Sequence, residues 1–342
     1  MLDSQEKILC VLQNGKYHSA KSVSNMLGIQ LSVAQKYLVQ LEDSGVLTSV
    51  HETNEFKLLE NLDLLSARRI TNYLSLDSNM PCFEIKVFQS LDSTNKYALE
   101  QAEAKTNSGL VVLAEQQTAG RGRRGKRWVS PFASNIYMSI VWDFFRGAKS
   151  IQGLSLAIGV GVRRALLQLD IKDVKLKWPN DIFVNNRKLG GILVEIIGDP
   201  NNACTVVVGI GLNVTMPQSQ AVKIDQDWID LSQISDANIS RDQLSAKIIG
   251  NIFEVLKDFD EIGFSAYLSE WQSADFLKNK TCMINMSNDS ITGTVLGVDN
   301  SGALRMRLLS GEEKRFLGGE ISVRINKCCL LYTSPSPRDF TE

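Results

Sequence analysis

Histidine is nearly absent: there are two in 342 residues. Six cysteines are scattered without CxxC spacing. Neither a zinc site nor a disulfide framework is expected from such a set, and a reducing, cytoplasmic compartment suits it. Net charge is also lacking, at -1. That excludes a chain-wide electrostatic attraction to nucleic acid, so any such contact must come from a local patch. No apolar run is long enough for a membrane span, and the start, Met1-Leu2-Asp3-Ser4-Gln5-Glu6, is too polar and acidic for a secretory signal. What remains is 44% hydrophobic and 22% charged residues, the balance of an ordinary globular protein. A chain of this length is expected to fold as two or three domains.

The first 60 residues predict three short helices and a hairpin. Ile8, Leu9, Val11 and Leu12 mark an apolar first helix. Ser19 caps a second, with Val23, Met26 and Leu27 on one face and Gly28 as its stop. Ser32 and Gln35 form a capping-box pattern opening a third, with Ala34, Leu38 and Leu41 on one face and Gly45 ending it. Two strands, Val46 to Val50 and Glu55 to Leu59, follow around a polar turn. Helix–turn–helix plus wing is a DNA-binding arrangement, and Ser32, Gln35, Lys36 and Gln40 are its candidate DNA contacts. The charge argues the other way. Five lysines and no arginine face seven carboxylates over these 60 residues, whereas phosphate contacts supply much of DNA affinity. A winged helix that binds no DNA therefore stays open.

Residues 63–82 read as a helical connector, and a large domain follows over 83–272. Phe83 to Phe88, Leu110 to Ala114, Ile136 to Trp142, Val174 to Lys177, Ile182 to Val184, Leu189 to Ile197 and Thr205 to Val214 read as strands. Asn185-Asn186 is a hairpin turn signal. Leu154 to Leu169 reads as a buried helix, and Ser240 with Gln243 opens a long one. Short strands and glycine turns over 273–327 predict a small β-barrel. Cys329 to Asp339 reads CLLYTSPSPRD. This resembles translated sequencing adapter, or else a Pro/Ser-rich disordered tail, and no function is assigned to 328–342.

Five motifs carry the chemistry. Gly120-Arg121-Gly122-Arg123-Arg124-Gly125 matches G-x-G-x-x-G after a strand, but Lys126-Arg127-Trp128-Val129-Ser130-Pro131 is a poor helix start. A dinucleotide-binding reading is rejected on that ground. The segment instead offers glycines and cations to a phosphate, or a solvated basic loop. In Lys175-Leu176-Lys177-Trp178-Pro179-Asn180-Asp181, a strand delivers Lys177 beside a polar turn. Lys177 there is a candidate ligand for carboxylate and phosphate, and Asp181 a candidate for Mg²⁺; a β-turn with a solvated lysine is the alternative. In Lys188-Leu189-Gly190-Gly191, the glycines permit close backbone approach or a bulge. In Gly209-Ile210-Gly211-Leu212-Asn213, a glycine-bearing strand leaves room for a flat ring and Asn213 is able to read an adenine edge, or this is a core strand with a satisfied asparagine. Ser93-Thr94-Asn95, after Asp92, by itself reads as an N-cap cluster.

Taken in order, these motifs resemble the biotin–protein ligases, in particular the bifunctional type that also represses biotin-synthesis genes. The resemblance spans roughly residues 1 to 326. It implies an α+β chain: an N-terminal winged helix-turn-helix (1–62), a central mixed sheet with helices related to class II aminoacyl-tRNA synthetases, and a C-terminal SH3-like small β-barrel. It implies that biotin is activated with ATP and Mg²⁺ to biotinyl-adenylate, then transferred to a lysine of the biotin carboxyl carrier protein of acetyl-CoA carboxylase. Ser93, Thr94, Asn95 and Gln117 are implied to bind the biotin head group. Arg121, Gly122 and Arg123 are implied to order over biotin and the adenylate, and Lys177 to contact the biotin carboxylate and α-phosphate. Trp128 and Asn213 are implied to lie near adenine, with Lys188 assisting at phosphate. Lys177, Arg123 and Arg121 are the implied catalytic set. Operator DNA and a homodimer, paired through the sheet edge near Gly191 to Ile197 when the adenylate is bound, are the further implied partners.

The wing lacks the basic, glycine-containing turn expected of the repressor subfamily. Three alternatives stay open: a ligase whose winged helix binds no DNA, a lipoate or octanoate ligase of the same fold class, and a ligand-sensing transcription factor without ligase activity. The Gly-Arg-Gly-Arg-Arg-Gly loop with Lys177-Trp178-Pro179-Asn180 favours biotin over lipoate.

Overall fold

The computed structural model describes residues 4–12, 14–43, 46–50, 53–58, 63–74, 84–104, 108–146, 151–198, 203–235, 239–286, 290–318 and 322–325. Gly45, Leu59, connector residues 75–82, Phe83 and the tail 328–342 lie outside them.

Helix α1 is Ser4–Leu12, strand β1 His18–Ser19, α2 Ala20–Leu27 and α3 Leu31–Asp43; β2 (Leu47–Val50) and β3 (Glu55–Leu58) form the wing. Ser19 caps α2 by accepting from the Ser22 amide, and Gly28 closes it at φ 63°, a conformation that glycine adopts without steric cost. α3 departs from expectation at its start. The Val33 and Ala34 amides donate to the Gln30 carbonyl, so Ser32 lies inside the first turn and does not cap. The added β1 pairs with β3; two residues are too few to show a period in sequence. Ile8, Leu9, Leu12, Val23, Leu38, Leu41 and Phe56 form the core of this unit, and Phe132 from the next unit is buried in the same cluster.

α4 (Ala67–Leu74) covers part of the connector. It does not span a free linker, because Ile70 and Leu74 join the central core. The central sheet contains β4 (Ile85–Leu91), β5 (Val111–Gln117), β6 (Ile136–Phe144), β7 (Lys175–Lys177), β8 (Asp181–Val184), β9 (Arg187–Gly198) and β10 (Cys204–Leu212), in the order β4-β5-β6-β10-β9-β8-β7. β4 and β5 are parallel and the remaining pairs antiparallel. Alternation along the strands separates two faces. Val111, Leu113, Val206, Val208 and Ile210 pack with α6 (Leu154–Leu167) and a long helix over 241–262 in one dry core. Val112, Val141 and Val207 pack with Ala98 and Ala102 of α5 (Thr94–Glu103) on the other side.

β9 lies inside the strand order, but only in part: it pairs with β10 throughout and with β8 as far as Gly191, so the rest of the segment near Gly191 to Ile197 is laddered on one side. Strand order depends on nonlocal hydrogen bonds that a hydrophobic pattern does not encode. Beyond Gly191, β9 overhangs β8.

Short α7 (Gln218–Ala221) precedes α8 (Arg241–Ile262), whose cap Ser240 accepts from the Gln243 amide. The start of α8 grips the connector. The Arg241 amide donates to Asp63 Oδ2 at 2.7 Å, and its guanidinium donates to the Asp63 and Asn135 carbonyls. That guanidinium also lies 2.8 Å from Glu115 Oε2, and Glu115 in turn accepts from the Leu65 amide. Asp242 binds the Ser66 amide and Arg69.

After α9 (Leu268–Ser273), five antiparallel strands close the chain: β11 (Thr281–Asn285), β12 (Ser290–Val298), β13 (Leu304–Leu308), β14 (Glu313–Phe316) and β15 (Ser322–Ile325). They are locked to the central unit at β7. The Leu176 amide donates to the Ala274 carbonyl, the Phe276 amide to the Leu176 carbonyl, and Trp178 Nε1 to the Gly302 carbonyl at 3.0 Å. Asp275 sits in this seam. Burial raises its pKa to about 6, against backbone amides and lysines that lower it. Its Oδ2 has no hydrogen-bond partner. Because the folded value exceeds the unfolded one, the carboxylate opposes folding above pH 6, and that penalty fades as pH falls toward about 4. Asp275→Asn is therefore expected to raise the melting temperature at pH 7.5, with the gain disappearing near pH 4. An equal gain at both pH values in scanning calorimetry would contradict this.

Candidate active site

Two glycines, Gly209 and Gly211, lie on the same side of β10 as Val207, the α5 side. A Cβ on Gly209 would collide with the Asn95 amide, and one on Gly211 would lie 2.5 Å from Trp128 Cε2. Trp128 also lies 3.5 Å from the Cβ position of Gly191, which pairs with Gly211. The bare strand thus seats two side chains side by side, Asn95 over Gly209 and the Trp128 indole over Gly211.

Around the first lies a closed set of polar side chains. Ser93 caps α5, accepting from the Lys96 amide at 3.4 Å. That cap turns Thr94 and Asn95 toward the sheet, where all three residues are buried. Gln117 Oε1 accepts from the Thr94 amide at 2.9 Å, and Gln117 Nε2 donates to Ser130 Oγ. Ser139 Oγ lies 2.8 Å from Thr94 Oγ1 and donates to Asn95 Oδ1 at 2.6 Å. Asn95 Nδ2 donates to Glu195. Ser130, Ser139 and Glu195 were not singled out as site residues. The signal for Ser139 is a lone serine in the otherwise apolar and aromatic strand Ile-Tyr-Met-Ser-Ile-Val-Trp.

The basic loop leaves β5 without entering a long helix. Gly120 cannot be larger, because a Cβ there would lie 2.5 Å from the Trp128 carbonyl. The loop folds on itself: Gly122 donates to the Lys126 carbonyl, Trp128 to the Gly120 carbonyl, and Arg123–Gly125 make one 3₁₀ turn. These backbone bonds hold it as a narrow hairpin. Arg121 pairs with Glu195 at 3.2 Å, and Arg123 donates to Asn180 Oδ1. Burial lowers the Arg123 pKa, with Asp181 opposing.

Lys177 ends β7 between the buried residues Leu176 and Trp178. Burial lowers its pKa, Asp181 partly restores it, and Lys188 lowers it again. Its Nζ lies 5.0 Å from the centre of the Phe183 ring. Asn180 fixes the following turn by donating to the Ile192 carbonyl at 2.7 Å. Lys188 Nζ sits 2.8 Å from Asp181 Oδ1 and 5.5 Å from the centre of the Trp128 ring.

Trp128, Lys188 and Asn213 line one small cleft of about 50 Å³. Trp128 Nε1 is buried with no hydrogen-bond partner, a cost unless a ligand accepts from it. Asn213 is already committed, since its Nδ2 donates to the Ile229 carbonyl at 3.1 Å. The structure thus brings the expected ligand residues to one side of the sheet. Ser32, Gln35, Lys36 and Gln40 are separate, all exposed on α3 opposite buried Ala34, Leu38 and Leu41. Among the described residues no three His, Cys, Asp or Glu are placed to hold a metal, and no helix is long and apolar enough to cross a membrane.

Comparison with known proteins bears on the family of the chain. Residues 87–213 match the biotin/lipoate A/B protein ligase family, and residues 279–324 the biotin protein ligase C-terminal domain. The bifunctional ligase/repressor BirA of Escherichia coli (strain K12) is 35% identical over 318 residues, 93% of this chain and 96% of that protein. The protein of the same name from Bacillus subtilis (strain 168) is 25% identical over 300 residues, 87% of this chain and 92% of that protein. The biotin protein ligase of Aquifex aeolicus, solved in complex with biotin and ATP, superposes with a TM-score of 0.61 at 27% identity, covering 71% of this chain and 99% of that one. With both signature regions matched and an E. coli relative aligned along nearly its whole length, the chain belongs to the biotin protein ligase family.

Proposed function

We propose that this chain joins biotin to ATP as biotinyl-5′-AMP, releasing pyrophosphate, and passes the biotin to a lysine of a biotin carboxyl carrier protein. The observation that supports this best is the pair of side chains seated side by side on the β10 glycines. Asn95, held among Thr94, Gln117 and Ser139, offers polar contacts suited to the biotin head. Trp128, with an unanswered Nε1, offers a ring face suited to the nucleotide.

Biotin's carboxylate must attack the α-phosphorus of ATP. Two anions meet, so preorganised cations matter more than an acid or base. Lys177 is assigned to the carboxylate and α-phosphate, Arg121 and Arg123 to closing over the adenylate, and Lys188 to phosphate. Gly122 lets the loop backbone approach. Asp181, with Lys188 2.8 Å away, is a single carboxylate. It fits Mg²⁺ held mainly by the triphosphate, not a protein-borne cage, and that ion would neutralise phosphate oxygens. In the second step the acceptor amine, mostly protonated near neutrality at a pKa of ~10.4, attacks the mixed anhydride and releases AMP.

Operator binding through Ser32, Gln35, Lys36 and Gln40 is part of this reading. Their joint exposure on α3 supports it and the acidic balance of 1–60 opposes it. The segment of β9 beyond Gly191 is the proposed pairing edge of a homodimer with adenylate bound. A division at 1–62, 63–82, 83–272 and 273–327 is proposed to match the three sheets, with the whole chain working in the cytoplasm.

The test is ATP-dependent transfer of labelled biotin to a biotin-carrier domain, run beside lipoate. Biotin transfer alone is expected; lipoate transfer, or none with DNA binding intact, would overturn the reading. The subsites have their own test. Gly211→Ala is expected to raise KM for ATP, and Gly209→Ala KM for biotin, each roughly tenfold or more, as overpacking costs about 1–3 kcal/mol. Both variants raising the same KM would reject the assignment.

A further inference from the structure

Glu195 stands between two groups with different tasks. It lies on β9, with its side chain a quarter exposed, and its carboxylate is split. Oε2 accepts from Asn95 Nδ2 at 2.8 Å, while Oε1 lies 3.2 Å from Arg121 Nη2. Asn95 belongs to the floor under the biotin head. Arg121 belongs to the loop proposed to close over the adenylate.

Each contact has a direct consequence. Asn95 has one donor end and one acceptor end. Ser139 donates to its Oδ1 at 2.6 Å, so Nδ2 must face the carboxylate. Turning the amide over would set oxygen against oxygen. Glu195 therefore fixes which end of Asn95 meets Ser139. Arg121 carries five N–H donors, and its side chain is half exposed. A guanidinium anchored through one nitrogen keeps its other donors for an anion, with less rotamer freedom left to lose when that anion binds.

We propose that Glu195 is a positioning residue that ties the biotin floor to the adenylate loop, holding Asn95 in one orientation and Arg121 preoriented for phosphate. Glu195 touches no reacting atom, and this role rests on the ligase reading given above.

The test is the dissociation rate of preformed biotinyl-adenylate, chased with excess biotin and ATP, in the parent, Glu195→Gln, Arg121→Gln and the double variant. Each single substitution is expected to speed release roughly fivefold, the size of a partly exposed ion pair. The double variant should release clearly less than twenty-five-fold faster, because the two substitutions share the Arg121–Glu195 linkage. KM for biotin should rise further in Glu195→Gln than in Arg121→Gln, since only the first also disturbs Asn95. A purely structural role would lower the melting temperature and give multiplying effects. Multiplying effects, or unchanged retention in Glu195→Gln, would overturn the proposal. If Glu195→Gln does not fold, unchanged retention in Arg121→Gln overturns it instead. A parent that forms no adenylate at all would defeat the ligase reading, which the pyrophosphate burst monitors separately.

Discussion

Lys177→Met is expected to lower the rate of biotinyl-adenylate formation by roughly 10²–10³, the usual cost of removing one preorganised electrostatic contact, without loss of fold. The backbone explains why this side chain is so placed. β7 is three residues long and held on both sides, by β8 and by the chain at Ala274 to Phe276. Its buried neighbours Leu176 and Trp178 leave Lys177 pointing the other way. The ammonium is largely withdrawn from water, which lowers its pKa. That desolvation strengthens its attraction for the two approaching anions.

The same shift sets a pH signature. The cation is the working form, so adenylation should fall as pH rises through the Lys177 pKa. The fall should begin below the ordinary lysine value of ~10.4. Lys177→Arg, whose cation persists to higher pH, should move that limb upward even though its rate is lower. Rapid-quench measurement of pyrophosphate release from pH 7 to 10 gives both readings. A methionine variant within about threefold of the parent would remove Lys177 from the chemistry.

Arg241→Met is expected to destabilise the protein by about 3–5 kcal/mol, the range for breaking a buried ion pair by deleting one partner. Glu115 has 0% exposure and Arg241 3%. Without the guanidinium, a carboxylate remains in the core beside β5. The Asp63 and Asn135 carbonyls also lose their donors. Replacing both charges, with Glu115→Gln added, should recover part of the loss, because no buried charge is then stranded. Urea unfolding of the three variants decides the matter. A single-variant loss under about 1 kcal/mol, or a double variant as unstable as the two losses added, would show that the pair is not what closes this joint. Since Glu115 also accepts from the Leu65 amide, the variant should loosen the connector before the central sheet.

Local features were legible. Ser19 and Ser240 cap as their positions suggest, and Asn185 and Asn186 take φ of 50° and 59° in the hairpin turn. Gly209 and Gly211 announced room above a strand. What fills that room was not legible, because Asn95 and Trp128 reach it only through the tertiary fold. The place of β9 inside the sheet was hidden for the same reason. Glu115 had a signal that was not used: a carboxylate in the apolar run Val-Val-Leu-Ala-Glu must find a buried partner, although sequence alone does not say it is Arg241.

Phe132 bears on the winged helix as a module. Its ring is buried in the cluster that also holds Ile8, Leu9 and Leu38, yet it is attached to the chain between Trp128 and β6. Excising the first unit would remove a plug from its core and leave a hole of aromatic size. A transplanted winged helix that packs without this ring would have no seat for it and would expose it to water. The two units are therefore not interchangeable parts on a string: any recombination of the N-terminal unit with another catalytic unit must carry a matched residue at the Phe132 position.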